Sequence, residues 1–566
     1  MAVDRGPTRA SAMRTCLIPV PFLLWLPLSL ACCALPAADA LPDWMRALQP
    51  QSDSWKKSKQ ELVFNNQAEP ETLDPTIMKG VLESRIGIAL FEGLVGYDPK
   101  TLEARPGVAT SWTVSDDHLV YTFNLRPDAC WSDGSPLTAR DFARSWQRAI
   151  TPATAAEYVY QFYPIVGAED FFLGKLSDFS KVGIEVVDDH TIRTRLRAPC
   201  PYFLDLVAFT TLMPVPVDRV QKFGERWVLP ENILGNGPFK LASWERGKGI
   251  EMVPNEHYWD RAHVRLTKIT ARPYDKDEIA YQLYLDNKLD WIPSVPVAKI
   301  DEIKRNPDFY AYPFLGSGFY RFNCTKPPFN DARVRKAFSL AIDRKTITEH
   351  VLRAGEVPAT WFVPDIGPKV GGYRHVKGLA EDRELARTLL AECSYPAPGR
   401  PSFKTKPFPP VELLYNTSEN NKAIAEAIVS QWKDALGVTV TLRNSEWKVY
   451  LADMDALKFD VCRGSWVGDY NDANTFLDMF VTNGGNNRTG WSNTDYDRLV
   501  GESQREGDPA KRLVLLQRLE RILVEEQFPI MPIYIYVNKG MLRERVHGWY
   551  DNVRDLHPFQ YMWIEE

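Results

Sequence analysis

A chain of 566 residues with 45% hydrophobic and 12% aromatic side chains can bury a large core and divide into at least two domains of ordinary size, which excludes an intrinsically disordered protein. Its 68 Lys and Arg against 73 Asp and Glu leave a formal net charge of -5. With no long run of one sign, that balance argues against a nucleic-acid partner.

The first forty residues carry the strongest topological signal. Arg5, Arg9 and Arg14 precede an apolar stretch from Cys16 to Leu35, followed by the small residues Ala37, Ala38 and Ala40, the pattern of an export signal. Pro19, Pro21 and Pro27 interrupt the stretch and disfavour a permanent membrane helix. Ala38-Asp39-Ala40 offers a cleavage site, so residues 1–40 are expected to be removed as a signal peptide and the mature chain to begin at Leu41. The alternative is lipid attachment at Cys32 or Cys33, where Leu28-Ser29-Leu30-Ala31-Cys32-Cys33 resembles a lipoprotein signal imperfectly. No later segment approaches the ~20 apolar residues that a bilayer-spanning helix needs.

In chain order, Leu119, Tyr121, Phe123 and Leu125 alternate with Val120, Thr122 and Asn124, the period of a half-buried strand. Asp133-Gly134 predicts a tight turn, and Thr138 with Asp141 predicts a capping box opening a helix that turns Phe142, Trp146 and Ile150 to one side. Ile192, Thr194 and Leu196 alternate with Arg193, Arg195 and Arg197 as a second strand, so the first half reads as rich in antiparallel strands. Val334, Ala337, Phe338 and Ala341 recur at helical spacing behind an Asn/Asp cap. Val411–Tyr415, Asn421–Leu436 stopped by Gly437, and Val438–Leu442 predict a βαβ unit. Asp508 followed by Pro509 starts a helix running to about Glu526, and Pro532–Tyr536 reads as a closing strand. The fold class is mixed α/β.

Catalytic and metal chemistry find little support. No G-x-S-x-G, H-E-x-x-H or Walker sequence occurs, and the eight histidines are scattered; His257 and His263 stand at a spacing without metal logic. Beyond the signal, Cys130, Cys200, Cys324, Cys393 and Cys462 are odd in number and lack C-x-x-C spacing. They are expected to be buried small hydrophobes rather than a zinc site or a disulfide framework. No catalytic residue, cofactor or metal is therefore expected.

Three segments resemble, in the right order, the oligopeptide-binding receptors of bacterial ABC importers, a family of periplasmic solute-binding proteins. The first is Ala109 to Arg148, with Ser111-Trp112, Tyr121-Thr122-Phe123-Asn124-Leu125-Arg126, Trp131-Ser132-Asp133-Gly134 and Leu137 to Phe142. The second runs from Asn323 through Lys326 to Asp331 and on to Ala341-Ile342-Asp343-Arg344. The third is Arg463-Gly464-Ser465-Trp466-Val467-Gly468-Asp469-Tyr470-Asn471, with Asn486 and Asn487 downstream.

The resemblance implies a type II periplasmic-binding-protein fold: two lobes around a ligand cleft, with an extra β-rich domain. The first lobe would be assembled from 60–91, 213–315 and 535–566, the extra domain from 92–212, and the second lobe from 316–534, with two chain crossings as the hinge. It further implies that Asp469 meets the α-ammonium of a bound peptide while Trp466 forms a wall and Ser465, Val467, Gly468, Tyr470 and Asn486 lie around the ligand. Arg463 would sit beneath the site, Lys326 over the cleft, Gly80 and Val81 along it, and Phe314 and Gly316 near a lobe crossing. Asn421 and Met454 stand where some members carry a histidine and an arginine that meet ligand carboxylates, Lys79 stands where some carry an acid, and Asp453 and Asp455 are expected to make their region acidic instead. Backbone hydrogen bonds would hold an extended peptide, with its side chains in roomy, hydrated pockets. The expected partners are short peptides and an ABC transporter membrane permease. The receptor is expected to be monomeric and to work outside the cytoplasm, in the periplasm or on the outer face of the membrane. A non-peptide solute such as a nickel chelate, haem or sugar is the alternative ligand, and a secreted hydrolase the alternative class.

Overall fold

The computed structural model describes residues 43–365, 372–393 and 408–566. The expected signal peptide, the cleavage site before Leu41 and the cysteines at 32 and 33 lie outside the described residues.

The backbone is organised by one 11-stranded mixed sheet. Its order runs Val440–Ser445, Val411–Asn416, Val461–Val467, Phe309–Phe322, Ile530–Leu542, Trp291–Ile292, Glu61–Asn65, Lys268–Arg272, Gly249–Pro254 and Phe239–Glu245, and Val357–Pro358 pairs with Ile530–Leu542 off this path. At one end Val411–Asn416 and Val440–Ser445 are parallel, joined by the helix Glu419–Leu436, which gives the βαβ unit read from the sequence. Ser418 caps that helix and Gly437, at φ +69°, ends it in the left-handed region that glycine adopts without strain.

Between the two ends, Phe309–Phe322 and Ile530–Leu542, 14 and 13 residues long, pair antiparallel. Their register slips between Pro313 and Ser317, where proline has no N–H to give to the ladder. The strand expected at Pro532–Tyr536 is thus the middle of a much longer one.

A separate four-stranded antiparallel sheet takes the order Ala109–Val114, Val120–Leu125, Thr191–Arg195, Ile184–Asp188. Tyr121, Phe123 and Leu125 face its core, together with Phe142 and Trp146 from the helix Ala139–Ala149 and Ile150 just after it. The Thr138 N–H and hydroxyl both donate to the Asp141 carboxylate, at 2.8 and 2.9 Å, and the Gly134 N–H closes the turn on the Trp131 carbonyl at 2.8 Å. This core also takes in Tyr470, more than 200 residues downstream of its other members.

Of the five cysteines, Cys200 and Cys462 are buried, whereas Cys130, Cys324 and Cys393 are partly exposed; all five are free. The expectation of five buried thiols holds for two, because Cys130 sits in an isolated β-bridge with Pro136, Cys324 in a turn and Cys393 at a helix end. Among the described residues no helix is long and apolar enough to cross a membrane, and no group of three His, Cys, Asp or Glu side chains could hold a metal ion.

Candidate functional site: a cleft around Asp469

A cavity of about 320 Å³ is lined by the helix Gly80–Leu90, the hairpin Val95–Tyr97/Ala104–Pro106, Tyr158, Ala208–Met213, Trp259, the turn Val467–Asp469 and the segment Arg554–Tyr561. The turn is set by its neighbours. The strand Val461–Val467 pairs with Phe309–Phe322 up to Gly316↔Val467. At Gly468 the N–H then donates to the Leu315 carbonyl at 2.8 Å, and a Cβ there would meet Leu315 Cδ2 at 2.7 Å, so a side chain at this position would force Leu315 to move.

The next residue, Asp469, is held at three points. Its N–H donates to Thr475 Oγ1 (3.2 Å), its carbonyl accepts from Arg554 Nη2 (2.8 Å), and its carboxylate Oδ2 accepts from the Tyr160 hydroxyl (2.6 Å). Loss of hydration raises the carboxyl to about 6, against the smaller lowering effects of the Tyr160 hydrogen bond and the Arg554 charge. Around it the acidic load is high. Burial lifts Asp205 and Asp478 to about 7 each, and the Asp469 charge adds to the shift at Asp478. Asp472, by contrast, is fully matched: Arg512 grips it with two hydrogen bonds, at 2.6 and 2.8 Å, and both side chains are buried.

The turn is also tied to the core that the small sheet covers. Tyr470 stacks on Tyr202, centroids 4.4 Å apart and planes 10° apart. Asn474 Nδ2 lies 2.9 Å from the Tyr470 hydroxyl, 3.3 Å from that of Tyr202 and 2.8 Å from Asp478 Oδ2.

Of the residues singled out by sequence, Gly80, Val81, Val467, Gly468 and Asp469 line the cavity. Tyr470 is buried in the stack described above. Trp466 pairs in register with Ser317 and packs beside Leu315 and Phe319, outside the lining. Arg463 spends its guanidinium on Tyr536 (2.7 Å), Ser465 (3.1 Å) and Asn416 (3.5 Å). Lys326 is paired with Asp460 at 2.7 Å. Gly316 is squeezed between Tyr536, Phe314 and the Trp466 carbonyl. Asn421 turns back on Asn416 at the start of its helix. Asn486 is half-buried, while its neighbour Asn487 is buried and donates to the carbonyls of Phe480, Val481 and Trp491.

The expected acidic region does not form. Asp453 is paired with Arg443 at 2.5 Å and Asp455 with Arg488 at 2.6 Å, and Lys79 is paired with Glu157 at 2.5 Å. Sequence reasoning missed Tyr160, Arg554 and Tyr202. The first two lie 309 and 85 residues from Asp469, and neither carries a periodic or motif signal.

Residues 103–488 match the model of the bacterial extracellular solute-binding proteins, family 5 middle region. The chain belongs to this family of solute-binding proteins. Among its relatives, the periplasmic murein peptide-binding protein MppA of Escherichia coli is 36% identical over 546 residues, spanning 95% of this chain and 98% of that one. The oligopeptide-binding protein OppA of Bacillus subtilis is 32% identical over 500 residues, 87% of this chain and 90% of its own. Haemophilus influenzae OppA, solved in complex with RPPGFSPFR, superposes with a TM-score of 0.75 at 32% identity over 90% of this chain and 99% of that one. The mixed α/β architecture with its large central sheet is thus the solute-binding fold of family 5.

Proposed function

We propose that this solute-binding protein is an extracytoplasmic receptor that captures short peptides by their amino terminus and delivers them to an ABC transporter permease, without catalysing a reaction. One observation carries the reading: a carboxylate on the cavity wall, Asp469, whose side-chain partner is a neutral hydroxyl and whose charge is costly enough that its pKa stands at about 6. A ligand ammonium is the group that would relieve this cost. Because every free peptide carries one, a single carboxylate gives class specificity without sequence specificity. The peptide-binding names of the relatives support the same ligand class and a periplasmic address.

The lobes at 60–91 with 213–315 and 535–566, at 92–212 and at 316–534 would close on the ligand as rigid bodies in a monomer. The crossing strands Phe309–Phe322 and Ile530–Leu542 would serve as the hinge, flexing at the register slip beside Pro313. Isothermal calorimetry with a peptide panel and its N-acetylated counterparts tests the reading. Free peptides should bind and acetylated ones should bind far more weakly. Equal binding of both, or of neither, sinks amino-terminal capture.

A further inference from the structure

The cavity beside Asp469 differs in character from the hydrated side-chain pockets that the sequence led one to expect. Val95, Tyr97, Phe209, Met213, Trp259 and Tyr561 are among the side chains that line it. Three of its polar side chains, Glu92, Asp555 and Tyr97, are engaged by the protein. Glu92 accepts from the Tyr258 hydroxyl (2.6 Å) and Trp259 Nε1 (2.8 Å). Asp555 accepts from Arg85 (3.1 Å), Tyr312 (2.7 Å) and His557 (2.8 Å). The Tyr97 hydroxyl donates to the Asp205 carbonyl at 2.7 Å. What the lining offers a ligand is mainly aromatic and aliphatic surface.

Size points the same way. An apolar cavity of about 150 Å³ already accepts benzene, and about 320 Å³ holds a guest of indole size with part of its backbone.

We propose that this chamber is a specificity pocket for a bulky apolar side chain on the first residue of the peptide. The inference rests on the reading of Asp469 as the ammonium site. Ammonium and side chain share one Cα, so a first residue held at Asp469 has its side chain at the chamber mouth. An aromatic or long aliphatic group buries its surface there. A charged group would lose its hydration on entering a chamber whose walls are mainly apolar.

The chamber also supplies its own probe. Gly96, in the strand Val95–Tyr97, lines the cavity, and a Cβ added to it meets nothing within 4 Å. Gly96→Phe therefore places a ring in the space assigned to the ligand.

Calorimetry would use tripeptides X-Ala-Ala and Ala-X-Ala, with X as Trp, Phe, Leu, Ala, Asp or Lys, on wild type, Gly96→Phe and Asp469→Asn. In the X-Ala-Ala series Phe and Trp should bind roughly 10- to 150-fold more tightly than Ala, and Asp and Lys more weakly than Ala. Gly96→Phe should abolish the advantage of bulk, while Asp469→Asn should weaken the whole series and preserve its ranking. A flat series on wild type, a ranking confined to Ala-X-Ala, or a natively melting Gly96→Phe that keeps the full preference each overturns the pocket. The wild-type ranking decides the matter even if Gly96→Phe fails to fold. Failure of the amine reading looks different: acetylated and free peptides bind equally while the first-residue ranking persists.

Discussion

The segments Arg463–Asn471 and Asn323–Asp331 are alike in sequence terms, each a polar run beside a strand with one charged residue that the resemblance places over the ligand. The folded chain treats them differently. Lys326 has a carboxylate partner of its own, Asp460, at 2.7 Å, whereas Asp469 has a hydroxyl and a carbonyl-bound arginine, and its carboxyl stands at about 6. A charge already matched by the protein gains little from a ligand, while one that burial has left costly is poised to take a counter-ion.

The largest test of that contrast is Asp469→Ala. Removing one member of a dehydrated ligand–carboxylate pair costs ~3–5 kcal/mol, so affinity for free peptides should fall by about two to four orders of magnitude. The unliganded protein should melt no lower than wild type at neutral pH, because a carboxyl with a raised folded-state pKa weakens the fold once ionised. Calorimetry and thermal melts on the same preparation check both halves. A large stability loss with unchanged affinity would turn the contrast around.

Next in size is the anchor that holds the turn. Asp472 and Arg512 are both buried and joined by two hydrogen bonds. Arg512→Ala should cost ~3–5 kcal/mol of stability by leaving Asp472 dehydrated and unmatched. Replacing both residues, as in Asp472→Leu with Arg512→Met, should recover most of the loss. Denaturant unfolding of the single and double variants measures it. If the single variant unfolds like wild type, the pair does not anchor the turn.

The contrast also marks how far the sequence could be read. Alternation in Leu119–Leu125 and capping at Thr138 and Asp508 are local signals, and the strand and helices they announce begin within a residue or two of the expected places, the last as an α-helix to Arg521 that continues as a π-helical turn to Gln527. The central strand Phe309–Phe322 was hidden because Pro313, Gly316 and Gly318 look like loop residues. Gly318 is in fact demanded by the Tyr534 ring, which a Cβ would meet at 2.5 Å. In the site, the Trp466-x-x-Asp469 run pointed to the acid. The partner that fills a charge could not be read, because Asp460 for Lys326 and Arg443 for Asp453 are brought in by tertiary packing.

A smaller effect follows from the pKa itself. The folded protein holds the Asp469 carboxyl at about 6, above its ordinary 3.8, so it carries a proton over a pH range in which the unfolded chain does not. The stability contributed by that proton is present at low pH and is lost as pH rises through about 6. Ammonium binding needs the ionised form. Affinity should therefore be level near pH 7, fall by up to about tenfold per unit below pH 6, and fall again above ~8 as the peptide amine deprotonates. Binding at pH 6 should release protons, visible as a dependence of the calorimetric heat on the ionisation enthalpy of the buffer. A flat profile from pH 5 to 7 would leave Asp469 with no ammonium to meet.

The smallest expected effect is the counterpart at Lys326. Its side chain is about half exposed and that of Asp460 about one-fifth, so their 2.7 Å contact belongs to the class of ion pairs worth ~0–1 kcal/mol. Asp460 keeps a second partner when the lysine goes, since Oδ2 accepts from the Glu412 N–H at 2.9 Å, and its carbonyl still takes the Asn323 N–H. Lys326→Met preserves the aliphatic stem and removes only the ammonium. Stability should drop by less than about 1 kcal/mol, less still at high salt, where screening has already weakened the pair. Peptide affinity should stay within about twofold of wild type, for peptides of any length. A selective loss of affinity for peptides of one length would mean that Lys326 leaves Asp460 to meet a ligand carboxylate, and the two segments would then share the work of recognition.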